Sequence, residues 1–129
     1  MRIREDQMAH FAALAKRSFT ERMLRHLRDL APDEVAALTD SALRGHIEAS
    51  MDQARDHDIT MESDVATFIV MLAYLGWDAP GRVGWLRTTL RERELDGSGK
   101  IRTLLAAYEA MGSTETAASP EPTEEEQDG

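Results

Sequence analysis

From Arg4 to Leu30 the chain holds no Gly and no Pro. At about 100° per residue, Met8, Phe11, Ala12, Ala15, Phe19, Met23 and Leu30 fall on one side of a helical wheel, with Leu27 at its edge. His10, Arg17, Glu21 and Arg28 take the opposite side, while Leu14 and Leu24 fall outside the stripe. The pattern predicts a long amphipathic helix whose apolar face needs something to lie against. Ala31-Pro32-Asp33 stops it, and Asp33 to Leu38 is expected to make at most a short helical turn.

Thr39 or Asp40 can cap a second main helix, reaching about His57. Leu43, Ile47, Met51 and Ala54 form its seam, and Gly45 weakens it slightly. Asp56-His57-Asp58 breaks the pattern. Thr60 is the expected cap of a third helix over Met61–Leu75, with Glu62 and Asp64 favouring its N-terminal dipole. Gly76 is the expected left-handed stop. Val65, Phe68, Ile69 and Leu72 make one face, and Val70, Met71, Ala73, Tyr74 and Leu75 fill most of the rest. A helix apolar nearly all round belongs at the centre.

Trp77 to Trp85 is a turn-rich stretch containing Pro80, Gly81 and Gly84. Asp78 is the expected cap of a fourth helix, with Pro80 in its first turn, reaching about Glu94. Asp96-Gly97-Ser98-Gly99 breaks again. Ser98 is expected to open a fifth helix carrying Ile101, Leu104, Leu105, Tyr108 and Met111, closed by Gly112. No strand-like alternation and no internal repeat stand out. The fold class is therefore all-α, a single bundle of about five helices over residues 1–112. Residues 113–129, rich in Ser, Thr, Pro and Glu without an apolar period, are expected to form a disordered acidic tail, dispensable for folding.

Composition changes this picture little. The formal charge of −9 is concentrated in that tail, which carries six acids and no base. The remainder is nearly balanced and shows no basic stripe of the kind nucleic acid requires. With no cysteine, no disulfide, thiolate metal site or cysteine nucleophile can form. The first residues lack the apolar core of a signal peptide, and the longest apolar run, Phe68 to Leu75, is too short to cross a bilayer. A cytoplasmic protein is expected, without membrane or nucleic-acid partners.

Chemistry-bearing patterns are sparse. His10, His26, His46 and His57 have no His or Cys partner at metal-ligand spacing. Glu62 with Asp64, and Asp56 with Asp58, read as capping and loop acids rather than an acid–base pair. Gly81-Arg82-Val83-Gly84 and Gly97-Ser98-Gly99 read as turns. No catalytic residue, cofactor or metal is expected. Trp77 and Trp85 bracket the Gly/Pro loop in a chain with only 5% aromatics, so each either plugs the bundle end or faces a partner. Trp77, Arg82 and Trp85 are therefore candidate protein-binding residues. On helix 1, Arg17 and Arg28 are further candidates, although Lys16, Arg17, Arg22, Arg25 and Arg28 also suit a solvated face, with Glu21 and Arg25 an i,i+4 pair.

One resemblance narrows the function. Ile3, Gln7 and Met8 lead to Phe19-x-x-Arg22-Met23-x-x-His26-Leu27, then Pro32, Leu38, Leu43, Arg44 and Ile47. Ala54-Arg55, Ile59, Glu62, Asp64-Val65-Ala66, Phe68, Ile69, Leu75 and Gly76 follow. This segment resembles small helical accessory proteins encoded beside type VI secretion spike (PAAR-type) and effector genes. In that pattern an aspartate-phenylalanine pair follows the glycine, where Trp77-Asp78 stands here. The resemblance implies a non-enzymatic adaptor or chaperone-like protein that loads or tethers an effector or spike component. It implies no particular binding residue. The rival expectation is an immunity protein that blocks a toxin by direct binding. An enzyme or small-ligand binder would need convergent polar residues that the pattern lacks.

Overall fold

The computed structural model describes residues 5–118, with side chains placed for 13–111. Seven helices follow one another among them: α1 (Glu5–Leu30), α2 (Pro32–Val35), α3 (Asp40–Asp56), α4 (Glu62–Leu75), α5 (Ala79–Arg82), α6 (Gly84–Leu90) and α7 (Gly97–Ala118). The described residues contain no strand, and the fold is all-α. No described helix is long and apolar enough to cross a membrane.

Local chemistry explains most boundaries. Pro32 lacks the N–H that would extend α1 and opens α2 instead. The Thr39 hydroxyl accepts from the Ala42 N–H at 3.1 Å and caps α3. Asp58 turns the chain after α3 with φ of 66°. Gly76 stops α4 at φ 113°, where a Cβ would be strained.

Three expectations change. The cap of α4 is Met61, not Thr60, and no side chain bonds there; the charges of Glu62 and Asp64 favour that end instead. The expected fourth helix is two short ones, α5 and α6. Val83 adopts extended backbone between them, flanked by the poor helix formers Gly81 and Gly84. Arg87 then donates to the orphaned Gly81 carbonyl at 2.8 Å. Finally, α7 passes through Gly112 to Ala118. One interior glycine costs only about 1 kcal/mol, and no proline follows to end the helix there. The rest of the expected tail, residues 119–129, lies outside the described residues.

Ion pairs read out the packing directions. Lys16–Asp52, Glu21–Arg44 and Arg28–Asp40 set α1 antiparallel to α3. Arg22 meets Glu62 near one end of α4, and the Tyr74 hydroxyl donates to the Leu30 carbonyl near the other, so α4 runs parallel to α1. α7 begins beside the first turn of α4, where the Ser98 hydroxyl donates to Asp64 at 2.6 Å. α4 touches α1, α2, α3 and α7, as expected of a central helix. Phe68, Ile69 and Leu72 are fully buried in it, against Leu27, Val35, Leu43, Ile47, Leu86, Leu90 and Leu104 from around the core.

The α1 stripe meets this core only partly. Burial starts at Phe19 and continues through Met23, Leu24 and Leu27. From Ala13 to Ser18 no side chain is buried, and Leu14 is 45% exposed. Leu24 lies off the stripe yet is buried, while Leu30 lies on it and is exposed. α1 packs against α2, α3 and α4, so its buried face is wider than a single stripe.

The expected Glu21–Arg25 pair gives way to a longer-range one. The Arg44 guanidinium donates to Glu21 at 2.6 and 3.1 Å. These hydrogen bonds lower the Glu21 pKa; desolvation opposes them, and the charges of Arg44 and Arg25 add to the lowering. A folded pKa below the unfolded one gives stability that is complete above the unfolded value and fades as pH falls through the folded one. Arg44→Gln should therefore lower the thermal midpoint near neutral pH, and the gap from wild type should narrow in acid. A gap that widens in acid would contradict this pairing.

Candidate functional site

The body leaves two hollows along α1, both walled by Phe19 and Glu62. The first, about 270 Å3, lies between α1, α3 and the start of α4; Ala15, Phe19, Met51, Ile59 and Val65 give it an apolar lining. Lys16, Arg55 and Glu62 add charge to that lining. The second, about 530 Å3, lies between α1 and α4, with Phe19, Met23 and Ala66 beside Arg22, His26 and Ser63. Small residues make the space: Ala15 faces the first hollow, and Ser63 and Ala66 face the second.

Phe19 and Glu62 border both hollows, and Arg22 lines the second. Arg22 donates to both Glu62 oxygens, at 3.3 and 3.2 Å, and its guanidinium carbon lies 5.6 Å from the Phe19 ring centre. Both partners are more than half exposed, so the pair is worth at most about 1 kcal/mol. The charges at the groove are paired: Arg22 with Glu62, and Arg55 and more distantly Lys16 with Asp52, three cations against two carboxylates.

The residues singled out from the sequence lie elsewhere. Trp77 and Trp85 follow α4, whereas the groove flanks its first turns, about 20 Å away along a helix of this length. The Trp77 ring stacks on His46, with centroids 4.9 Å apart and planes at 6°. Both tryptophans pack partly buried against the core. Trp85 Nε1 is buried without a hydrogen-bond partner among the described residues. Arg82 donates to the Leu75 carbonyl at 2.7 Å and to Asp78 at 3.3 Å, covering the end of α4.

Arg28 also ties the fold together. It donates to the Val35 and Leu38 carbonyls, each at 2.7 Å, and to Asp40 at 2.8 Å. It pins the α1–α2–α3 corner and has little left to offer a partner. Arg17 is exposed, with no ion pair to a described residue. His26 is exposed beside the second hollow, and the side chain of His10 lies outside those described. No group of three His, Asp or Glu close enough to share a metal occurs among the described residues.

The groove has no distinct signature in the sequence. Phe19, Met51 and Val65 sit on helical seams and read as sealed core. Only the unbroken stripe through Ala15 hinted that α1 offers more apolar face than one body covers. No protein-family model, curated protein or solved structure matches the chain.

Proposed function

We propose that the chain is a non-enzymatic adaptor that holds an amphipathic helix of a type VI secretion effector or spike component in the groove along α1. The observation that carries this reading is the apolar trough of Ala15, Phe19, Met51 and Val65, edged by exposed ion pairs, on a helix whose described residues before Phe19 find no buried position. A partner helix would lay its apolar side on Phe19 and Met51, as helix-in-groove recognition does. Acidic residues along its edges would meet Lys16, Arg22 and Arg55. The resemblance of the Ile3–Gly76 pattern to type VI accessory proteins supports the choice of partner.

Photo-crosslinking from position 15 in the native cell tests the reading. The expected product joins the chain to a spike or effector protein, and deleting the gene abolishes secretion of that effector. A product with a toxin whose activity the chain neutralises would replace the adaptor with an immunity protein.

A further inference from the structure

We infer that the cleft between the end of α3, the end of α6 and the first turn of α7 binds a small phosphate-bearing anion. Two adjoining hollows form it, lined by residues other than those of the α1 groove. One, about 490 Å3, is lined by His57, Arg91, Arg93 and Lys100 together with Asp56 and Asp58. The other, about 240 Å3, shares His57 and Arg91 and adds Arg87.

Lys100 is the unusual member. It is only 4% exposed, and its Nζ donates to the His57 carbonyl at 3.0 Å. That bond caps the C-terminus of α3, where a cation is favourable. It uses one of three ammonium donors. Lys100 makes no ion pair with a described carboxylate, and a buried charge without a counter-charge is costly. Arg91 and Arg93 line the same space, exposed, and neither side chain bonds to a described residue. Arg87 is held in place by the Gly81 carbonyl.

Three arginines and Lys100 thus line the cleft, against two exposed carboxylates. A phosphate group fits this donor set: it carries more charge than a carboxylate in a compact volume and accepts from several N–H groups at once. The ligand must be small. Lys100 is almost fully buried at the lining, and a long polyanion would set further negative charge against Asp56 and Asp58.

Thermal denaturation of the full chain tests the assignment. Sodium pyrophosphate at about 10 mM should raise the midpoint by at least about 3 °C more than sodium chloride of equal ionic strength. The double variant Arg91→Ala/Arg93→Ala, which loses no internal bond to a described residue, should lose at least half of that rise. Lys100→Met should lose it as well if the variant folds. A rise no larger than the salt control overturns the site, as does a full rise in the double variant. A triglutamate peptide that stabilises as well as pyrophosphate overturns the phosphate assignment.

Discussion

Phe68→Ala should destabilise the chain by about 3–5 kcal/mol in denaturant melts. Phe68 is fully buried in α4, the helix that touches α1, α2, α3 and α7. Removing its ring leaves a cavity in the middle of the core, with no route for water or a neighbouring helix to fill it cheaply. Domains of this kind have roughly 5–15 kcal/mol in total, so the variant would keep only part of its stability. Phe19→Ala should cost less, about 2–3 kcal/mol, because its ring already borders two open hollows. A cost below about 1 kcal/mol for Phe68→Ala would contradict the packing described here.

Gly97→Ala should be comparably damaging, by about 3 kcal/mol or more. A Cβ at Gly97 would collide with the Asp58 carbonyl oxygen and lie 2.9 Å from both the Asp58 carbonyl carbon and the Ile59 Cα. These are backbone atoms, and they cannot swing away. Asp58 already has positive φ, and the Lys100–His57 bond fastens the same junction, so relief would require α7 to move off the α3–α4 loop. Gly45→Ala is the contrast. Nothing lies within 4 Å of a Cβ there, so the change should stabilise α3 by about 0.5–1 kcal/mol. Equal effects of the two substitutions in urea melts would refute the close approach at Gly97.

These two residues show what was legible in the sequence. Phe68 announces itself through its position in an apolar helix between clear stops. The three main helices α1, α3 and α4 were readable because their signals are local: proline after α1, threonine before α3, glycine after α4. Gly97 was not readable. It looks like a turn glycine, and the need for hydrogen at that position comes from the α3–α4 loop, about forty residues earlier in the chain. Arg28 likewise looks like one of several surface cations, and only the fold brings three acceptors to it. The split between α5 and α6 rests on Val83, a residue with no strong stop signal of its own.

The groove was hidden for a related reason. Seam residues report that a side chain leaves water, but not whether its far side is covered by the same chain or by another. Phe19 shows both at once, buried at 6% exposure yet walling two hollows. The tryptophan loop drew attention through residue type, whereas the groove is defined by the shape of three elements meeting.

The claim that the α1 groove holds the partner has a direct test. Ala15→Glu and Ser63→Glu change one exposed residue in each hollow, and neither side chain anchors the core. Calorimetric titration with the protein crosslinked from position 15 should show each variant binding about 30-fold more weakly, roughly 2 kcal/mol. Denaturant melts of both variants should stay close to wild type, and Trp85→Ala should leave the affinity intact. Wild-type affinity in Ala15→Glu and Ser63→Glu, with binding lost in Trp85→Ala, would contradict the account and move the contact surface to the loop after α4.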